Sequence, residues 1–149
     1  MAANPTPDDL LEFLRLLQGN HVDFVLVGGY AVAFHGYIRS TQDLDILYRN
    51  TPGNRQGITQ ALLDFGFPKQ VISDDLFQAG SILRMGLPPS RIEMLNEVSG
   101  VSVDEIWQHR VLGDFEGLKV HFISLDDLRK NKKAAGRAKD LLDLAELQD

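Results

Sequence analysis

The sequence contains no cysteine, and its 149 residues include no long hydrophobic run. The absence of cysteine excludes a disulfide-stapled scaffold, a zinc ribbon, a thiol nucleophile and an iron–sulfur cluster. No apolar stretch approaches the ~18 residues of a membrane-spanning helix. Residues 1–9 have neither the basic start nor the apolar centre of a secretory signal. We therefore expect a cytoplasmic protein without a membrane partner.

Basic residues are fewer than acidic residues in this chain. The chain has 15 Lys and Arg against 21 Asp and Glu, for a net charge of −6. A broadly basic nucleic-acid-binding domain would show the opposite balance. The exception is the segment 129–139, which contains six basic residues and no acidic one. Since the length is that of one ordinary domain, we expect a single domain over residues 1–149.

Helix and strand patterns alternate along the chain. Apolar spacing and capping residues predict helices over 7–19, 30–35, 58–65 and 103–107, and a last helix over 124–147 that Gly136 weakens. Strand patterns cover 24–27, 41–48, 81–87, 91–95 and 118–123, and Pro52 to Asn54 is predicted to be a turn. The mixture predicts an α+β fold with one mixed β-sheet flanked by helices.

Two glycines follow the first predicted strand. Gly28 and Gly29 come directly after the apolar run 24–27 and directly before a helical pattern. A bare turn at a helix N-terminus presents backbone N–H groups to which phosphate oxygens can bind. Taken alone, such a pair is also typical of an ordinary tight turn.

Carboxylates occur at positions that favour a metal site. Asp43 and Asp45 are two residues apart in a predicted strand, so their side chains lie on the same face. Burying two like charges is costly, and a hard cation such as Mg²⁺ removes that cost. Glu93, within another apolar strand, is a candidate third ligand. The alternative is that all three carboxylates are simply exposed to solvent.

Further candidates precede the aspartates and lie in the basic segment. Arg39, Ser40 and Thr41 lead into the aspartate strand and are candidate phosphate contacts. The basic residues 129–139 suggest an anionic partner, either a nucleoside triphosphate or a nucleic-acid backbone. A solvated helix face explains the same segment without any partner.

The spacing of these elements resembles a known family signature. Gly28-Gly29, thirteen residues, then Asp43-Leu44-Asp45 is similar to the glycine and Asp-x-Asp motifs of the nucleotidyltransferase fold, the DNA polymerase β-like superfamily. The wider stretches 28–36, 39–46 and 132–144 resemble small prokaryotic members, including the AbiEii toxin-like group. The resemblance implies that the glycines bind nucleotide phosphates, that the two aspartates bind Mg²⁺, and that Glu93 completes the metal site.

The same resemblance implies roles near the C-terminus. It places Lys132, Arg137 and Asp140 near the active site, with Lys130 or Lys133 as alternatives to Lys132. The expected activity is Mg²⁺- or Mn²⁺-dependent transfer of a nucleoside monophosphate from an NTP to an acceptor. RNA such as tRNA, a protein hydroxyl and a small molecule all stay open as acceptors, and a toxin neutralised by an antitoxin protein is one version. The alternative is a non-catalytic module with the same fold that binds a nucleotide or a partner.

Overall fold

The computed structural model describes residues 5–37, 43–87 and 90–147 of the chain. The helices are Pro7–Gly19 (α1), Gly28–Phe34 (α2), Pro52–Phe65 (α3), Val103–Gln108 (α4), Leu125–Ala135 (α5) and Ala138–Glu146 (α6). The strands are Phe24–Val27 (β1), Asp43–Tyr48 (β2), Ile82–Leu87 (β3), Ser90–Leu95 (β4), Val111–Phe115 (β5) and Leu118–Phe122 (β6). Two short 3₁₀ turns, Lys69–Val71 and Asp74–Phe77, connect α3 to β3.

The six strands form one mixed sheet in the order β3-β4-β2-β1-β6-β5. β2 pairs antiparallel with β1 and parallel with β4, and β1 pairs parallel with β6. The outer hairpins β3–β4 and β5–β6 are antiparallel. Together with the flanking helices, this architecture confirms the predicted α+β fold with a mixed sheet. β2, which bears both aspartates, therefore lies inside the sheet rather than at its edge.

Helix α1 packs its apolar stripe against the core. The Thr6 hydroxyl accepts a hydrogen bond from the Asp9 backbone N–H, and the Asp9 carboxylate accepts one from the Thr6 backbone N–H. This reciprocal cap fixes the start of the helix where the sequence predicts it. Phe13 is fully buried, with its ring centroid 5.1 Å from that of Phe65 in α3. No helix in the described part of the chain is long and apolar enough to cross a membrane.

Two predictions about the elements were wrong in their boundaries, and one strand was missed. Helix α2 starts at Gly28 rather than at Tyr30, so the glycines are its first residues. The predicted turn at Pro52 is instead the first turn of α3, because the Thr51 side chain caps it by accepting from the Asn54 N–H. Strand β5 was not predicted at all, since Gly113 interrupts it and Leu112 is exposed.

The predicted C-terminal helix is in fact two helices. α5 ends at Gly136, whose φ of +65° is in the left-handed region that favours glycine, and α6 starts after Arg137. The sequence pattern indicates only that Gly136 weakens the helix; the structure shows that the chain changes direction there. As a result, side chains of α5 and α6 face one another instead of forming one continuous basic stripe.

Candidate active site

The three acidic candidates lie on neighbouring strands in register. β2 pairs with β4 so that Asp43 is opposite Arg91 and Asp45 is opposite Glu93. Residues two apart in a strand point to the same face, so Asp43, Asp45 and Glu93 share one face of the sheet. The parallel pairing of β2 with β4 is what brings carboxylates from two distant chain segments together.

These side chains line a cleft of about 520 Å³. Its floor is formed by β1, β2, β3 and β4, and its wall by α5, α6 and the turn between them. The charged lining residues are Asp43, Asp45, Arg84, Arg91, Glu93, Glu97, Lys132, Arg137 and Lys139. A groove of about 640 Å³ at the ends of α1 and α3 is larger, but Asp74 is its only carboxylate lining residue among those described. Charged groups of both signs therefore concentrate in the sheet cleft.

Gly28 lies at the junction of β1, α2 and the cleft. Its φ is +68°, and a Cβ built on it would overlap the Asp45 carboxylate, at 2.8 Å from Asp45 Cγ. The glycine is thus required both by the backbone conformation and by the close approach of an acidic side chain. Gly29, by contrast, is buried in α2 and is not among the residues lining the cleft.

Electrostatics set Asp45 apart from an ordinary surface aspartate. Burial, together with the negative charges of Glu93 and then Asp43, raises the pKa of Asp45 from 3.8 to about 6, although Lys132 and Lys139 pull it down. In Asp43, Oδ1 is buried and has no hydrogen-bond partner. Asp43 thus offers an oxygen without a hydrogen-bond partner, and Asp45 has a raised pKa because its negative charge is poorly compensated. A hard cation would satisfy both groups, so these two aspartates fit Mg²⁺ or Mn²⁺.

Glu93 has different surroundings from the two aspartates. Its Oε1 accepts a hydrogen bond from Arg84 Nε at 3.3 Å. Arg91 Nε lies 2.9 Å from the same oxygen and 3.5 Å from Asp43 Oδ2, but its N–H is not aligned for a hydrogen bond, so these contacts are ion pairs. Within residues 5–37, 43–87 and 90–147, no three acidic or histidine side chains are arranged to hold one metal ion. The three carboxylates share a face without forming a three-ligand cluster.

The C-terminal helices contribute a buried ion network. The Lys132 ammonium lies 3.3 Å from Asp140 Oδ1 and 3.1 Å from Asp143 Oδ2, and all three side chains are buried. Arg137 donates to Asp140 from Nε at 2.6 Å and from Nη2 at 3.2 Å. The pKa of Asp140 is lowered despite its burial, because Arg137 and Lys132 stabilise its charge. Asp140 is thus ion-paired with both cations and is not among the residues that line the cleft.

The three alternative lysines differ in their position relative to the cleft. Lys132 lines the cleft, whereas Lys130 and Lys133 do not. Arg39, Ser40 and Thr41 lie outside the described residues, so their predicted contacts with phosphate stay predictions.

Sequence reasoning missed Arg84, Arg91 and Lys139 as site residues. A signal for Arg91 was present, because it is two residues from Glu93 in the same strand and so points to the same face. Arg84 lies opposite Glu93 across the β3–β4 hairpin. That pairing can be derived only once the register of the hairpin is known.

Three solved structures described as nucleotidyltransferases or as similar to them have a similar fold. The lincomycin-bound lincosamide antibiotic adenylyltransferase LnuA matches with a TM-score of 0.64 and 17% identity, over 97% of each chain. A candidate nucleotidyltransferase from Thermotoga maritima matches with a TM-score of 0.60 and 14% identity, over 96% of this chain and 94% of that one. An antigenic nucleotidyltransferase-like protein from Paracoccidioides brasiliensis matches with a TM-score of 0.53 and 17% identity, over 93% of this chain and 74% of that one. At these identities the likeness shows the fold.

The family is shown by the sequence itself. Residues 8–148 match the family model described as "Nucleotidyltransferase of unknown function (DUF6036)", and the chain belongs to this family. No curated protein matches the chain. The prediction of a nucleotidyltransferase is thus confirmed at the level of the superfamily.

Substituting Gly28 by alanine is expected to damage both folding and the site. A left-handed alanine costs about 1–2 kcal/mol, and its Cβ would displace the Asp45 carboxylate. We expect the free energy of unfolding to fall by about 2–3 kcal/mol and transfer activity to fall at least ~100-fold. Gly66→Ala is the control, because Gly66 also has positive φ, +115°, but nothing lies within 4 Å of the position that its Cβ would take. Equal losses of activity in both variants would contradict this account of Gly28.

The raised pKa of Asp45 predicts a pH-dependent stability. The folded state holds the Asp45 proton more tightly than the unfolded chain does, so ionisation of Asp45 lowers the free energy of unfolding as the pH rises from about 4 to about 6. Asp45→Asn removes this loss and is expected to be about 2 kcal/mol more stable than the wild type at pH 8. The difference should vanish below pH 4, as measured by urea unfolding. Asp74→Asn, at an exposed position, is the control, and an Asp45→Asn variant less stable than the wild type at pH 8 would contradict the prediction.

Proposed function

We propose that this chain transfers a nucleoside monophosphate from an NTP to an acceptor hydroxyl, with Mg²⁺ or Mn²⁺ bound by Asp43 and Asp45. The observation that carries the proposal is the close approach of the Asp45 carboxylate to Gly28, beside the unpartnered Oδ1 of Asp43. In the reaction, the acceptor oxygen forms a bond to the α-phosphorus, the bond to pyrophosphate breaks, and the hydroxyl proton is released. A bound divalent cation supplies Lewis-acid polarisation and charge neutralisation at the phosphates.

The cations on the cleft wall suit the triphosphate end of the substrate. Lys132 and Lys139 line the same cleft as Asp45, and their positive charges lower its pKa. Lys139 and Arg137 are exposed enough to meet phosphate oxygens. Lys132 is held by two buried aspartates and so contributes a fixed positive charge. Fixed charges of this kind favour catalysis because they need no reorganisation during the reaction.

For the acceptor, the contacts of the basic segment favour a small molecule over RNA. Arg129 donates to the Leu147 carbonyl oxygen from Nε at 3.2 Å and from Nη2 at 3.0 Å. Lys132 is buried between the aspartates of α6. An RNA backbone binds to exposed rows of cations, and neither Arg129 nor Lys132 is available for such a row. The structure of LnuA, a lincosamide antibiotic adenylyltransferase, has lincomycin bound, which supports the proposal of a small-molecule acceptor.

A transfer assay tests the proposal and its alternatives together. The purified chain is incubated with each α-³²P-labelled NTP, with Mg²⁺, Mn²⁺ or EDTA, and with a small-metabolite extract, bulk tRNA or protein as acceptor. We expect label on a small molecule, pyrophosphate release, and loss of both in EDTA. Label on tRNA would instead support the AbiEii-like toxin version and the search for an antitoxin partner. NTP binding without transfer to any acceptor would support the non-catalytic module and overturn the proposal.

A further inference from the structure

We propose that the carboxylates of this cleft bind a single divalent cation, on Asp43 and Asp45, and that Arg84 and Arg91 neutralise Glu93 in place of a second cation. The inference rests on the proposed function, because it concerns the metal which that function requires. It departs from the expectation that Glu93 is a metal ligand. Glu93 then acts by positioning two arginines at the edge of the site.

The contacts of Glu93 are the first support. A single oxygen, Oε1, receives Arg84 Nε at 3.3 Å and Arg91 Nε at 2.9 Å, and only 15% of the Glu93 side chain is exposed. A divalent cation on this oxygen would have to displace or approach two guanidinium groups. By contrast, Asp43 Oδ1 is buried without a partner. The buried carboxylate oxygen of this group that lacks a hydrogen-bond partner therefore belongs to an aspartate, whereas Glu93 Oε1 has two guanidinium groups beside it.

Strand pairing is the second support, because it fixes both arginines in place. Arg91 is opposite Asp43 in the parallel β2–β4 pair, and Arg84 is opposite Glu93 in the antiparallel β3–β4 pair. Directly opposed residues have Cβ atoms about 4.5–5.5 Å apart, which is within ion-pairing reach for arginine. The arrangement is therefore built into the sheet register rather than into one side-chain rotamer.

The charge balance is the third support. Asp43, Asp45 and Glu93 bring three negative charges, and Arg84 and Arg91 bring two positive ones. These five side chains together carry a single negative charge, and one divalent cation reverses its sign. Two cations would make the group strongly positive, and it lies beside Lys132 and Lys139, whose positive charges already lower the pKa of Asp45. Like charges repel most strongly where water is partly excluded. The absence of a three-ligand cluster in the described residues agrees with one cation on two aspartates.

The test counts Mn²⁺ bound to the full chain by electron paramagnetic resonance, with Mn²⁺ alone as the probe. We expect one Mn²⁺ per wild-type chain. Glu93→Gln should change the dissociation constant by less than about threefold, and Asp45→Asn should raise it at least about tenfold. The double variant R84Q/R91Q frees Glu93 and should bind a second Mn²⁺ or bind the first at least about threefold more tightly. Arg15→Gln, at an exposed position on α1, is the matched control and should match the wild type.

The outcomes separate the inference from the proposed function. Two Mn²⁺ on the wild type, a loss in Glu93→Gln as large as in Asp45→Asn, or no gain in R84Q/R91Q would overturn the single-cation inference while leaving metal dependence in place. No Mn²⁺ binding by any variant would overturn both. Thermal melts confirm that each variant is folded, and Arg84→Gln alone, at a side chain that is 55% exposed, replaces the double variant if that one unfolds.

Discussion

Replacing Asp43 and Asp45 together by asparagine is expected to lower the rate of nucleotidyl transfer at least about 10³-fold, with the chain still folded. Removing a single preorganised electrostatic group from an active site costs about 10²–10³-fold, and this variant removes two charges from one face of β2. Folding should survive because the substitutions keep side-chain size and remove a repulsive pair. The measurements are label transfer from an α-³²P-labelled NTP under single-turnover conditions and circular dichroism of the same preparation.

Asp74→Asn provides the control, since it makes the same change of charge in an exposed 3₁₀ turn away from the cleft. Its transfer rate should equal that of the wild type within about twofold. Full activity of the double aspartate variant would show that the acidic pair on β2 is not part of the catalytic machinery. That result would contradict the proposed chemistry but not the assignment of the fold.

Lys132→Ala is expected to cause the largest loss of stability, about 3–5 kcal/mol. That is the usual cost of removing one partner from a buried ion pair, because the opposite charge stays in a poorly solvated position. Here Asp140 and Asp143 are 1% and 2% exposed, and both lie within 3.3 Å of the Lys132 ammonium. For a chain of this length the melting temperature should fall on the order of 10 °C. Differential scanning calorimetry measures it directly.

The neighbouring Lys133→Ala is the matched control, because that lysine is exposed on the same helix. It should change the free energy of unfolding by no more than about 0.5 kcal/mol. A Lys132→Ala variant as stable as Lys133→Ala would show that the aspartates of α6 do not depend on this ammonium. The two lysines are adjacent in sequence and carry the same charge, so the difference between the two variants reports the effect of burial.

The parts of the site that sequence could predict are those set by local pattern. The run 24–27 followed by glycine predicted β1 and the start of α2 to within two residues, because buried strands and glycine turns are local features. The position of Asp43 and Asp45 on one strand, β2, was likewise predicted from a local pattern. The strands 81–87 and 91–95 were also predicted from local pattern, and they correspond to β3 and β4, which presents Glu93.

The parts that sequence could not predict depend on distant contacts. The two arginines beside Glu93 become site residues only through the pairing of β4 with β2 and β3, which no local pattern specifies. The break at Gly136 was underestimated for a similar reason. A helix interior tolerates glycine at a cost of about 1 kcal/mol, whereas here the ion pairs between α5 and α6 stabilise the left-handed turn. Strand β5 owes its existence to its partner β6 rather than to its own composition.

The interior position of β2 has a consequence for how the molecule fluctuates. Its backbone is paired on both sides, with β1 and with β4, whereas β5 has a neighbour on one side only. Amide protons of doubly paired central strands exchange with solvent mainly through global opening, while edge strands fray. We therefore expect the backbone of the two aspartates to exchange as slowly as that of the other doubly paired strands β1, β4 and β6, and we expect local opening at β5 to leave the spacing of the aspartates unchanged.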